Sequence, residues 1–278
     1  MTATATKKPF VPRPPEPPEV IEARWQKKKE RLEHLSNSIR KVRLSVTRDL
    51  KSDDEKTALT ALVVAVMDKT GERVGNEGSA KKGRFGVTGF LKSHVNIIGN
   101  KVLLNYTGKT GVAQDKNFSD ERIAKGLKQA IKNSPSKYVF ETSDGFRIKD
   151  DKINRYLEPF GISSKNIRGH CCNRFMVDKL NKITPEETDK KRKKQFNKIL
   201  KQVADKIGHG KGTLKKHYLV PELPYEFIEH GKVIDIKDFG YAMADGGKIK
   251  SEQKESTPLV IFQEHYAKHG ALFGGGYF

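Results

Sequence analysis

The sequence is short of cysteine, of long apolar runs and of negative charge, and each shortage excludes something. It has 2 cysteines, Cys171 and Cys172, and they are adjacent. Neighbouring cysteines rarely bridge each other, and without a CxxC pair no zinc pattern forms. No run of about 18 apolar residues occurs, so no segment reads as membrane-spanning. The first residues, MTATATKKPF, lack the apolar stretch of a secretory signal. The expectation is an intracellular protein, not secreted, with no metal, no cofactor and no membrane partner. Acidic residues are the largest deficit: 34 Asp+Glu stand against 54 Lys+Arg, for a net charge of +20. That is far more than solubility needs, and it favours a polyanionic partner, nucleic acid before an anionic membrane. With 278 residues, 35% of them hydrophobic, the chain is still long enough to bury a core.

Along the chain the character changes several times. Residues 9–18, PFVPRPPEPP, can form neither helix nor central strand, and residues 1–19 read as a disordered, proline-rich arm. Ile21, Trp25, Leu32, Leu35, Ile39, Val42, Val46 and Leu50 then recur at steps of three and four, with Lys28 in the one polar gap. This predicts a long amphipathic helix within residues 20–54, whose stripe a coiled-coil partner could also cover. A second helix carries Leu59, Leu62, Val63, Val66 and Met67 and ends near Gly71. HVNII and KVLLNY flank Gly99-Asn100, a hairpin signal, and YTGKTGV puts Lys109 at the tip of a second turn. Helices resume around Ile123, Leu127 and Ile131, and around Ile153, Tyr156 and Leu157. The next helix has Ser163 or Ser164 as its cap and buries Ile167, Cys172, Phe175, Met176 and Leu180. Thr184, Pro185 and Glu187 read as the capped start of another, carrying Phe196, Ile199, Leu200, Val203 and Ile207 up to Gly208. After Tyr218 no period is evident. The fold class expected is mainly α with a small antiparallel β-sheet, a catalytic domain over 55–218 and an extension over 219–278.

One stretch raises a chemical question. GHGKGTLKKHYL, residues 208–219, crowds Tyr218 with lysines, although a tyrosine is a poor nucleophile at its free pKa of about 10. A wet basic loop is one reading. The other comes from the polar residues at element ends: Arg73 in GERVGNEG, Lys109 on its turn, Arg168 in SSKNIRGHCCNRFM, then His209 and Tyr218. Covalent cleavage of a phosphodiester needs a nucleophile, cationic donors for the nonbridging oxygens and an acid for the departing oxygen. These five residues supply all of them without metal.

Six stretches then occur in a familiar order: LVVAVMDKTGERVGNE, FGVTGFLKSHV, LLNYTGKTG, VFETSDGFRIKDDKINRYL, KNIRGHCCNRFM and IGHGKGTLKKHY. In them the chain, over roughly residues 20–218, resembles the type IB DNA topoisomerases of the small poxviral and bacterial kind, with the tyrosine recombinase/topoisomerase catalytic fold. The resemblance implies relaxation of supercoiled DNA through a transient single-strand break, without ATP or metal. It implies Tyr218 as the nucleophile of a 3′-phosphotyrosyl link, Arg73 and Arg168 on the scissile phosphate, His209 as donor to a nonbridging oxygen, and Lys109 as general acid. Duplex DNA is the expected partner of a monomeric enzyme, located wherever that DNA is. Lys81, Lys82, Arg84, Lys92, Lys165, Lys211, Lys215 and Lys216 are the expected backbone contacts. His94 reads as structural support, Cys171 and Cys172 as helix packing, and the KKRKKQ run (190–195) as a DNA-facing or solvated surface.

The pattern departs from the family in three places. Small members typically carry an N-terminal β-rich clamp; here stand the arm and the long helix, which leaves full encirclement of the duplex open. Gly78-Ser79 occupies a position where the family commonly has tyrosine, and residues beyond Tyr218 form a longer tail, a possible docking segment for another protein. Two rival readings are a tyrosine recombinase and a non-catalytic DNA-binding or packaging protein. Recombinases usually place histidine three residues before the second arginine, where this chain has Lys165.

Overall fold

The computed structural model describes residues 17–109 and 111–234. The expected disordered arm, apart from residues 17–19, and the segment 235–278 lie outside the described residues. The chain divides into a unit of residues 28–250 and a smaller one of residues 1–27 with 251–278. Of the smaller unit, residues 17–27 are described, and they hold the opening turns of α1 (Pro18–Asp49). The larger unit contains every candidate site residue.

It is mainly helical with one small antiparallel sheet, as the sequence leads one to expect. At its centre is α2 (Glu55–Thr70). The Asp54 side chain accepts from the Thr57 N–H to start it, and Gly71, in the left-handed region at φ 71°, ends it. Its burial exceeds the single stripe the sequence suggests: Ala61 and Val64 are as enclosed as Leu62, Val63 and Met67. A helix apolar on most sides belongs in the middle of a fold. The last turns of α1 add Ile39, Val42 and Val46 to this core, and Arg43 grips Asp68 of α2 through two bonds of 2.8 and 3.0 Å.

After α3 (Glu77–Lys81) come β1 (Val95–Ile98), β2 (Lys101–Thr107) and β3 (Ala113–Ser119), paired in that order. Gly99 and Asn100 make the expected tight turn, since Ile98 pairs with Lys101. The β2–β3 connection is longer: Thr107 pairs with Ala113, so residues 108–112 form a loop, closed by Gly108 N–H to Val112 O at 2.9 Å. One sheet face is enclosed, through Val102, Leu104, Tyr106, Gln114 and Lys116. Then follow α4 (Glu121–Asn133), α5 (Asp150–Leu157), α6 (Ser164–Leu180), α7 (Asp189–Ile207), α8 (Lys211–His217) and α9 (Glu222–His230). α2 packs on α4, α5 and α6, and α7 packs on α6, α8 and α9.

Three local expectations are sharpened or corrected. Ser163 is the cap of α6; its N–H and hydroxyl both donate to Asn166 Oδ1, at 2.9 and 2.6 Å. α7 does not start at the Thr184 signal. Thr188 caps it, accepting from Lys191 N–H, and the loop before it is held by Arg192, which donates to the Glu186 and Glu187 carbonyls. Beyond Tyr218, where no period is legible, α9 buries Leu223, Tyr225 and Phe227. Arg192 also donates to the Ile228 and Glu229 carbonyls at its end, so this member of the basic run has a packing role.

Candidate active site

The segment that carries Arg73 leaves α2 at Gly71 and crosses the FGVTG segment at very close range. Arg73 O accepts from Val87 N–H at 2.9 Å, and Val74 O from Thr88 N–H at 2.8 Å. A Cβ on Gly86 would lie 2.5 Å from Gly75 Cα, so the two backbones touch where both residues lack side chains. This crossing explains why the RVGN and FGVTG stretches belong together.

Arg168, in the second turn of α6, is buried and reaches two helix ends. Nη1 donates to Gly71 O at 2.5 Å and Nη2 to Ile207 O at 2.8 Å, the C-terminal carbonyls of α2 and α7. Helix C-termini carry partial negative charge, so they fix a guanidinium well. Its Nε donates to His209 Nε2 at 3.2 Å. Further guanidinium N–H groups are left over for a ligand.

His209 follows the left-handed Gly208 cap of α7, and its N–H closes on Ala204 O at 2.8 Å. Gln114 of β3 lies against this cap: a Cβ on Gly208 would meet Gln114 Oε1 at 2.5 Å. Arg73 Nη2 lies 3.3 Å from His209 Nδ1, so the ring has a guanidinium on each side. Burial, then Arg168, then Arg73, presses its pKa down to about 3. The imidazole is therefore neutral near pH 7, and since Nε2 accepts from Arg168 its one N–H is on Nδ1. Burial, and next Arg168, likewise pull Arg73 below its ordinary value. Cations gathered this closely are poised for an anion.

Tyr218 caps the C-terminal end of α8. Its ring lies 4.9 Å from that of His209. Asn173 of α6 fixes the backbone around it, donating to Tyr218 O at 2.8 Å and accepting from Val220 N–H at 3.0 Å. Arg73, Arg168, His209 and Tyr218 are thus brought together. Lys109 stands apart from them in the described contacts, exposed on the 108–112 loop, its carbonyl accepting from Arg84 Nη1 at 2.9 Å.

The proposed backbone-contacting cations sit on several elements. Lys165, Lys211 and Lys216 are exposed on the first turn of α6 and on α8. Lys215 is half-buried, and burial followed by Lys193 lowers its pKa. Lys81 lies 4.0 Å from Glu77, and Lys82 is exposed at the end of α3. Arg84 holds the Lys109 loop, and Lys92 donates to Ser134 O at 2.8 Å, so both have work within the fold. His94 accepts from Leu91 N–H at 3.2 Å and packs on Phe85, in keeping with structural support. Cys171 and Cys172 are fully buried. Cys171 lies with Asp68 and His170 in a cluster of metal-ligand types, but Asp68 is already taken by Arg43 and lies close to Arg174, an unfavourable setting for a cation.

Glu72, Tyr106, Gln114, Lys116 and Asn173 were not singled out by sequence. The signal available was polar residues on faces that the period marks as buried: Tyr106, Gln114 and Lys116 at alternate strand positions, and Asn173 among Cys172 and Met176.

Comparison with known proteins gives the class first. The family model of the eukaryotic DNA topoisomerase I catalytic core matches residues 19–222, well over half of the chain, and the chain belongs to this type IB topoisomerase family. A particular relative is DNA topoisomerase 1B of Acanthamoeba polyphaga mimivirus, 26% identical over a 232-residue alignment that covers 76% of this chain and 69% of that one. Among solved structures, the XerH site-specific recombinase in a post-cleavage complex on palindromic difH gives a TM-score of 0.43 at 13% identity, over 68% of this chain and 47% of that one. Its pre-cleavage complex gives 0.42 at 14%, over 73% and 53%. The chain spans about half the length of those recombinase chains.

Proposed function

We propose that the protein relaxes supercoiled duplex DNA by cutting one strand and resealing it, with neither ATP nor metal. The observation that carries this reading is the convergence of Arg73, Arg168 and Tyr218 on His209. In the step proposed, the Tyr218 hydroxyl loses its proton to solvent as its oxygen attacks the scissile phosphorus, and the bond to the 5′-oxygen breaks. The products are a 3′-phosphotyrosyl link and a 5′-hydroxyl. Arg73 and Arg168 donate to the nonbridging oxygens, where charge builds in the transition state. His209, neutral, adds an N–H bond to the same oxygens. Lys109 protonates the leaving oxygen from a loop narrow enough to enter a groove. Religation runs the same steps backwards, the 5′-hydroxyl attacking phosphorus and tyrosine leaving. The exposed lysines of α6 and α8 serve the DNA backbone, and a single copy acts on the duplex inside whichever compartment holds it. The extension beyond Tyr218, residues 219–278, is proposed to dock on another protein.

The test is negatively supercoiled plasmid incubated with purified protein in EDTA. Relaxed topoisomers are expected from the wild type. Tyr218→Phe should retain DNA binding and lose relaxation, because the phenolic oxygen is the bond-forming atom and contributes little to affinity. Relaxation by the Phe variant would overturn the assignment. Strand exchange between specific sites, or binding with no cleavage, would move the protein to the recombinase or the packaging reading.

A further inference from the structure

Glu72 is a buried carboxylate set among cations. It directly precedes Arg73, it is 3% exposed, and Arg168 bonds the carbonyl of Gly71 just before it. A carboxylate free to turn at this position would be an intramolecular rival of phosphate for either guanidinium, since both anions suit the same planar fork of donors. In the described contacts neither arginine reaches it. Its two oxygens are taken from the sheet instead: Oε1 pairs with Lys116 Nζ of β3, and Oε2 accepts from the Tyr106 hydroxyl of β2. Leu104 pairs with Lys116 and Tyr106 with Gln114, so the two partners are diagonal neighbours on the enclosed face of the sheet. Burying that lysine is costly. Burial first, and Arg168 second, lower its pKa to about 7. A buried ion pair is weak support for stability as such, so the pair calls for another reason.

We infer that Lys116 and Tyr106 are positioning residues that occupy Glu72, so that Arg73 and Arg168 keep donors available for the scissile phosphate. The inference rests on the phosphate-gripping role proposed for the two arginines. Lys116→Met leaves Glu72 with an unpaired oxygen beside Arg73, and the carboxylate then competes with DNA. Glu72→Gln in that background removes the competing charge.

Single-turnover cleavage of a duplex oligonucleotide tests this on Lys116→Met, Glu72→Gln and the double variant, each with a 5′-oxygen and a 5′-bridging sulfur at the scissile position. Lys116→Met should be slower by about tenfold or more, the usual scale for a weakened oxyanion donor. Glu72→Gln should stay within about threefold of wild type, and the double variant should return to that level. Sulfur should not rescue Lys116→Met, because the deficit is not in the leaving group. If Lys116→Met does not fold, Tyr106→Phe with and without Glu72→Gln makes the same comparison with a smaller change. A mere packing role predicts that Glu72→Gln is slow as well and that the double variant is no faster; either result overturns the inference. Rescue by sulfur also overturns it, since it would mean the Lys109 loop has moved. Arg168→Ala is the control: wild-type cleavage by that variant would sink the reading of the arginines and this inference with it.

Discussion

His170 and His209 both carry pKa values pressed down to about 3, against about 6.5 for a free imidazole, chiefly by burial. Between those values the unfolded chain binds protons that the folded chain does not, so stability is full above about pH 6.5 and falls as pH drops towards 3. Through His170 alone, which is 2% exposed, each unit below about pH 6 should cost about 1.4 kcal/mol. Urea midpoints at pH 7.5, 6 and 5 measure this, and His170→Gln should flatten the slope even if it lowers every midpoint. An unchanged slope would show that the ring charges in place. Lys109 gives a second prediction at this scale. As a general acid it matters because an alkoxide is hard to expel, so Lys109→Ala should slow oxygen-substrate cleavage by about 10²-fold or more. It should cleave the 5′-bridging sulfur substrate at close to the wild-type rate, while Arg168→Ala should gain little from sulfur. Equal rescue of the two would move the acid role to another group, with Lys165 and Lys216 the next to test.

At the scale of elements, most of the helices and the sheet were legible because their apolar spacing is regular and their ends carry strong signals, such as Gly71 after α2. α9 was not. Pro224 breaks the written pattern, yet in the structure it falls in the first turn, where a missing N–H leaves no helical bond unmade. The α7 start was misplaced because Thr184 and Glu187 have the spacing of a capping box, while Thr188 has the geometry. The five proposed catalytic residues were readable as motif positions. What joins them was not, since Glu72, Lys116 and Asn173 work across elements far apart in sequence. The Gly75–Gly86 crossing gives a prediction here. Gly86→Ala places a methyl 2.5 Å from Gly75 Cα and 2.7 Å from Arg73 O, so the Arg73 segment has to move. Overpacking of this kind costs about 1–3 kcal/mol. Thermal unfolding should report that loss, and cleavage should fall more than DNA binding does; wild-type cleavage would show that the crossing only supports the fold.

For the whole molecule the dominant quantity is the charge of +20. With DNA as the substrate proposed above, binding should release counterions and weaken steeply with salt. For about six to ten phosphate contacts, relaxation should pass from processive to distributive by about 0.2 M salt, visible as the spread of topoisomers over time. Processive relaxation at that salt would mean that part of the chain, or a second copy, closes around the duplex. The bracing of Arg168 by two helix ends has its own consequence for how the enzyme comes into being. The carbonyls that seat it belong to residues 71 and 207, and the proposed nucleophile is residue 218. No ribosome-bound fragment short of that length can hold the guanidinium, the imidazole and the phenol together. A half-made copy therefore lacks the assembled group, and on the mechanism proposed above the capacity to nick arrives only with the finished fold.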